Sequence, residues 1–129
     1  MAAPYTIYLV DDDRFLLDMY ALKFRKAGHT VTEFRSGEEL ITALKEKPTV
    51  DAILLDIVMP VMDGFQILDA IRKDKLAEGA KLIVLSNQGQ DSDIEHAKQF
   101  RVDGYIVKAS AIPSEVLEKT IQIIEQHAL

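Results

Sequence analysis

Apolar residues run along this chain in two alternating rhythms. Unbroken runs such as Ile53-Leu54-Leu55 and Leu82-Ile83-Val84-Leu85 read as strands covered on both faces, because a strand with one wet face would alternate apolar and polar positions. Longer stretches between them repeat apolar positions at helical spacing. The pattern predicts strands at Thr6–Val10, Thr30–Phe34, Ala52–Leu55, Lys81–Leu85 and Gly104–Val107. It predicts helices near Arg14–Ala27, Gly37–Lys47, Phe65–Lys75, Asp93–Phe100 and Ser114–Gln126. Ser36 to Glu39 and Ser92 to Glu95 fit capping boxes, and Asp63 to Gln66 is the variant with aspartate at the cap. Gly28 reads as a helix stop. The last helix carries Leu117, Ile121, Ile124 and Ala128 on one stripe. Five strands, each followed by a helix, require parallel pairing with right-handed crossovers, hence an α/β, doubly wound sheet. Short loops and the lack of a repeat or linker predict one domain over residues 1–129, with no output domain in this chain.

The chemistry collects where strands end. Asp56 closes the apolar run Ile53-Leu54-Leu55, and a Pro60-to-Gly64 loop opens a helix straight after it. The carboxyl end of such a strand is where α/β sheets bind ligands, and a carboxylate there can act as a nucleophile and form an acyl phosphate. The simpler alternative, a loop aspartate capping the next helix, is better filled by Asp63. Asp11, Asp12 and Asp13 follow the first strand. Three adjacent carboxylates repel unless a cation sits among them, and Mg²⁺ suits oxygen ligands. The run also suits an acidic helix N-terminus, and both readings stay open. Ser86 ends the fourth strand, as a turn residue or as a hydroxyl donor to a phosphoryl oxygen. Lys108 ends the fifth, as an exposed loop lysine or as an ammonium that pairs with carboxylate and phosphate.

Charge and composition narrow the function. A net charge of −6 argues against non-specific binding to nucleic acid or anionic membranes. The absence of cysteine excludes disulfides, thiolate metal sites and cysteine nucleophiles. No signal peptide and no membrane-length apolar run is visible, so a cytoplasmic setting is expected. His29, His96 and His127 lack metal-ligand spacing, and Met59 and Met62 read as packing residues.

Taken together, Val10-Asp11-Asp12, Leu55-Asp56 with Met59-Pro60 and Asp63-Gly64, Leu85-Ser86, and Tyr105-Ile106-Val107-Lys108 resemble the response-regulator receiver domain of two-component signalling, similar to its chemotaxis-type single-domain members. The resemblance covers essentially the whole chain. It implies a flavodoxin-like (βα)5 fold with strand order 2-1-3-4-5. It implies that Asp56 is phosphorylated from the phosphohistidine of a histidine kinase or phosphotransfer protein, and that Asp11, Asp12, Asp56 and the Val58 main-chain carbonyl hold Mg²⁺ (or Mn²⁺). Lys108 would pair with the phosphoryl oxygens. Ser86 would bond the phosphate, and Tyr105 would turn inward as the switch aromatic, changing the surface of helix 4, strand 5 and helix 5 for an output protein. Such a domain is a switch, not an enzyme acting on other substrates. Two departures stand out. Ala109 follows Lys108 where the family commonly has proline, and Asn87 follows Ser86 where the family has a very small residue. Apolar Val58 cannot orient a hydrolytic water, which predicts slow self-dephosphorylation, although Gln88 carries an amide able to do so.

Rival functions fit less of the chain. In a haloacid-dehalogenase-like phosphatase Asp11 would be the nucleophile and Asp13 the general acid. That reading leaves Asp56 unexplained and lacks a late acidic pair for Mg²⁺. A phosphorylation-independent binding module has only the Ala109 departure in its favour. Flavin binding would need a Ser/Thr/Gly-rich phosphate loop where Asp11 to Asp13 stand. The terminal helix, with Val116, Leu117, Ile121, Ile123 and Ile124, holds more apolar surface than one buried stripe needs, which leaves room for a phosphorylation-dependent dimer or a protein partner.

Overall fold

All five predicted strands form, and they pair in parallel in one sheet of order β2-β1-β3-β4-β5. The computed structural model describes residues 4–87, 90–108 and 111–126. The strands are β1 (Thr6–Val10), β2 (Thr30–Phe34), β3 (Ala52–Leu55), β4 (Lys81–Ser86) and β5 (Gly104–Val107). The helices are α1 (Arg14–Lys26), α2 (Gly37–Leu44), α3 (Gly64–Lys73), α4 (Asp91–Lys98) and α5 (Pro113–Glu125).

The continuous apolar runs divide between two cores, as a strand covered on both faces must. In β3, Ile53 and Leu55 join one core with Leu40 and Leu44 of α2, Ile67, Leu68 and Ile71 of α3, and Ala97 of α4. Ala52 and Leu54 join the other, with Leu17, Tyr20, Ala21 and Phe24 of α1 and Val116 and Ile124 of α5. The sheet therefore carries α1 and α5 on one face and α2, α3 and α4 on the other.

The helix ends follow local chemistry. Asp63 and Gln66 form the full reciprocal box: the Gln66 amide donates to the Asp63 carboxylate at 2.9 Å, and the Asp63 amide donates to the Gln66 side chain at 2.9 Å. Ser36 caps α2 by accepting from the Glu39 amide at 3.2 Å, but the Glu39 carboxylate takes the Arg35 amide instead of the Ser36 amide. The Ser92 box does not form. α4 begins earlier, at Asp91 behind Gln90, with Asp91 and Asp93 in its first turn, where carboxylates offset the helix dipole. Gly28 is the helix stop: it has φ +97°, its amide donates to the Arg25 carbonyl, and the His29 amide donates to the Phe24 carbonyl, the Schellman pattern.

The expected stripe of α5 meets the core, but its most buried line also takes in Val116 and Thr120. The helix buries Val116, Thr120 and Ile124, while Leu117 and Ile121 are only half-buried. Thr120 turns inward because its hydroxyl donates to the Val116 carbonyl at 2.8 Å, which satisfies the polar group without a tertiary partner. Leu117, Ile121 and Ile123 are half-buried and pack against the same core. Ala128 lies outside the described residues.

Candidate functional site

Parallel register brings the strand ends to one edge. Val10 pairs with Leu55, and Ser86 pairs with Val107, so Asp11, Asp56, Ser86 and Lys108 emerge side by side. The crevice lies beside β1, where the strand order reverses, the usual ligand position in an open α/β sheet. Backbone bonds hold both aspartates in the ladder beyond the strands proper: the Asp11 amide donates to the Phe34 carbonyl and the Asp56 amide to the Val10 carbonyl, each at 3.1 Å. Gly64 lets α3 come down onto this edge. A Cβ there would stand 2.5 Å from the Asp56 carbonyl oxygen and 2.7 Å from the Ile57 Cα.

The lysine stem spans β4 to reach carboxylates on two other strands. Lys108 Nζ lies 2.6 Å from Asp11 Oδ2 and 3.2 Å from Asp56 Oδ2. The other oxygen of each aspartate is also engaged: Asp11 Oδ1 accepts from the Asp13 amide at 2.9 Å, and Asp56 Oδ1 accepts from the Val58 amide at 3.3 Å. Lys108 is therefore not the exposed loop lysine that its sequence also allowed; its side chain is 6% exposed. Burial pulls its ammonium down, yet the bond to Asp11 and the charges of Asp56 and Asp11 outweigh burial, and the net shift is upward. Asp11 moves upward too. Burial penalises its charged form more than Lys108 and the Asp13 amide favour it, and the Asp56 charge adds to the rise. The site thus holds more negative charge than one lysine offsets.

The acidic run divides its work. Asp13 caps α1, accepting from the Leu16 amide at 3.2 Å, so the helix-start reading applies to that residue. Asp11, Asp12 and Asp56 form the cluster: one carboxylate oxygen from each lies within 4.8 Å of the others, with Asp11 and Asp56 buried and Asp12 exposed. Such an oxygen-only donor set, open to solvent on one side, fits a hard divalent cation that keeps some of its waters. Asp11, Asp12, Asp13, Leu16, Asp56, Val58, Ser86, Asn87 and Lys108 line one open depression of about 340 Å³. Ser86 is fully buried at its wall. Tyr105 is half-buried and packs against the core on the α2–α4 side. Burial raises its phenol, as do the charges of Asp93 and Asp56.

Two contributors escaped the sequence. Leu16 lines the depression. Tyr20, buried on α1, feels Lys108, Asp11 and Asp56, and burial raises its phenol. Their signal was helical spacing from Asp13, three and seven residues on, but an apolar stripe reads first as core. The histidines are structural among the described residues: His29 Nδ1 accepts the Tyr5 amide at 3.0 Å, and His96 stacks on Phe65 with ring centroids 3.9 Å apart. Met59 and Met62 pack in the core, as expected. Gln88, Ala109 and His127 lie outside the described residues.

Comparison with known proteins agrees with this geometry. The chain is 30% identical over 119 residues to the protein PilH of Pseudomonas aeruginosa, covering 92% of this chain and 95% of that one. It is 28% identical to the transcriptional regulatory protein AfsQ1 of Streptomyces coelicolor, and there it spans only 50% of the relative's length. Its fold superposes on the chemotaxis protein CheY4 of Vibrio cholerae with a TM-score of 0.84 at 24% identity, covering 94% of this chain and 99% of that one. Residues 7–122 match the family model of the response regulator receiver domain, and the chain belongs to that family.

Proposed function

We propose that the chain is a phosphorylation-driven switch with Asp56 as the phosphoacceptor. The observation that carries the reading is the Lys108 ammonium bridging Asp11 and Asp56 inside a cluster of three converging carboxylates. An Asp56 carboxylate oxygen attacks the phosphorus of a phosphohistidine. The P–N bond breaks as the P–O bond forms, and the imidazole leaves with the electron pair and takes a proton from solvent. Asp11 and Asp12, with Asp56 and the Val58 main-chain carbonyl, would hold Mg²⁺ or Mn²⁺, which neutralises phosphoryl oxygens when bound. Lys108 trades Asp56 for the new phosphoryl oxygens, and Ser86 supplies a hydroxyl to them. Movement of Ser86 opens space for Tyr105, and the surface of α4, β5 and α5 shifts between two populations.

A phosphodonor must seat itself on the mouth of the cleft. Phe15, Val58, Val61 and Ile112 are exposed large apolar side chains contributed by the segments that follow β1, β3 and β5. Val58 lines the cleft itself, and exposed apolar groups on the segments around it fit a protein partner, here a histidine kinase or phosphotransfer protein. The output is another protein, and the acidic balance speaks against direct nucleic acid binding. No helix among the described residues is long and apolar enough to cross a membrane, in keeping with a cytoplasmic signalling role. Val58, apolar and 56% exposed at the mouth, offers hydrolytic water no hydrogen bond, so the acyl phosphate is long-lived. Loss of the phosphoryl group within seconds at neutral pH would contradict that.

The test is intact mass after incubation with a small-molecule phosphodonor. One phosphoryl group should be gained with Mg²⁺, none without it, and none in Asp56→Asn. A chain that gains nothing under any condition, while still binding a partner, would be a binding module without the chemistry.

A further inference from the structure

At the far end of α3 two cations take left-handed backbone, a conformation that Lys47 also takes behind α2, outside this groove. Lys75 and Arg101 stand just past the ends of α3 and α4 with φ of +53° and +57°. For a side-chain-bearing residue that conformation costs about 1–2 kcal/mol. Glycine occupies the matching place after α1 at no such cost. A cation near a helix C-terminus recovers typically about 0.3–1 kcal/mol from the dipole, which does not offset the cost.

Both cations line the same groove, of about 490 Å³, with Ile71, Arg72, Leu76 and Glu78. Three cations there face one carboxylate, in a chain whose net charge is −6. Among the described residues, none of Arg72, Lys75 and Arg101 lies within ion-pair distance of a carboxylate, whereas Lys73, Lys81 and Lys98 nearby each do. Arg72 is also fixed in place: its Nε donates to the Phe100 carbonyl and its Nη2 to the Arg101 carbonyl, both at 2.8 Å. Its remaining N–H groups stay available beside Arg101. Burial and the Arg101 charge pull the Arg72 guanidinium below its ordinary value, against the opposing charge of Asp103. Asp103 itself is occupied by the Leu82 amide and Lys81. Like charges held together this way are relieved by an anion.

We propose that this groove binds a phosphate-type oxyanion, free or as a phosphomonoester with an apolar body against Leu76. A planar guanidinium held by its own hydrogen bonds, with the Arg101 charge acting on it and Lys75 lining the same groove, suits tetrahedral oxyanions. The site is separate from the Asp56 cleft, which opens at the other end of α3, about 15 Å away by helix rise.

The test titrates metal-free protein, in chelator and at constant ionic strength set with sodium chloride, with inorganic phosphate and then phenyl phosphate. Backbone amide resonances of Lys75, Leu76 and Arg101 and the Arg72 Nε–H are followed by NMR. Saturable shifts at these groups are expected. In the double variant Lys75→Gly with Arg101→Gly the dissociation constant should rise about tenfold or more, about 1.4 kcal/mol per factor of ten. That variant removes charge at two positions where glycine is the favoured residue, so it retains the fold. Lys98→Ala, outside the groove, should change nothing. Tighter binding of phenyl phosphate identifies a phosphomonoester as the natural class, and equal binding identifies the free oxyanion. Absence of saturation, shifts that chloride reproduces, or unchanged affinity in the double glycine variant would overturn the site.

Discussion

Replacing Lys108 by methionine keeps the buried stem and deletes the ammonium, which isolates the electrostatics of the cleft. With an effective dielectric near 20, attractions at 2.6 and 3.2 Å come to about 6 and 5 kcal/mol. Carboxylate oxygens no more than 4.8 Å apart repel by at least about 3.5 kcal/mol on the same scale. Burying an ammonium costs several kcal/mol, which the variant recovers, so the attractions are not lost in full. Removing one partner of a buried pair typically costs about 3–5 kcal/mol, and the solvent-facing side at Asp12 puts this case near the lower figure. The pH dependence carries the sign. The Lys108 pKa is raised on folding, so its contribution is fully present below the ordinary lysine value of 10.5 and is lost as pH rises through the folded value. The Asp11 pKa is raised as well, so its protonated form favours the fold and that benefit is lost as pH rises through its folded value. At neutral pH Asp11 is thus a liability that Lys108 reduces. Urea unfolding in chelator should show Lys108→Met about 3 kcal/mol less stable at pH 7. The deficit should shrink as pH falls through the raised Asp11 value towards pH 4, because protonated Asp11 no longer needs the ammonium. Equal stability at pH 7, or a deficit of constant size down to pH 4, would refute the electrostatic account.

The other expectations are shorter. Asp11→Asn should be more stable than the parent in chelator by about 1 kcal/mol, since burial outweighs the favourable contacts of that carboxylate; it should also lose most of the stabilisation that Mg²⁺ confers on the parent, which is about 2.7 kcal/mol at a hundredfold excess over Kd. Thermal melts with and without Mg²⁺ measure both. Gly64→Ala places a methyl against backbone, the Asp56 carbonyl and Ile57 Cα, which cannot give way as a side chain would. The unfolding free energy from denaturant titration should fall by about 1–3 kcal/mol, and Asp56 should be phosphorylated more slowly. Ser36→Ala removes the hydroxyl that accepts the Glu39 amide and should cost about 1 kcal/mol in the same assay while leaving phosphorylation unchanged.

What the sequence revealed depended on whether each signal was local. β3 was legible because four consecutive apolar residues admit few other readings, and the Asp63–Gln66 box because both halves lie within one turn. β4 runs one residue further than apolarity indicated, since Ser86 is a hydroxyl at a strand end yet is fully buried opposite Val107. The α5 face is legible only in part for a related reason: Leu117, Ile121 and Ile124 do meet the core, but Thr120 is buried beside them. Thr120 scores as polar but settles its own hydroxyl on Val116, so a residue that hydropathy assigns to water belongs to the core. At the site, each strand-end residue could be nominated from its place after an apolar run. Nothing in the run Tyr105-Ile106-Val107 could say that Lys108 meets Asp11 across 97 positions of chain. That contact follows from the strand order, because only with β1, β3, β4 and β5 adjacent in that sequence does one lysine stem reach both carboxylates. The left-handed cations were the least legible of all. A glycine after a helix announces its backbone, as Gly28 does, whereas Lys75 and Arg101 look like ordinary cations at helix ends. Their conformation is visible only once the chain is folded, and for that reason the far groove rests on the structure in a way that the Asp56 cleft does not.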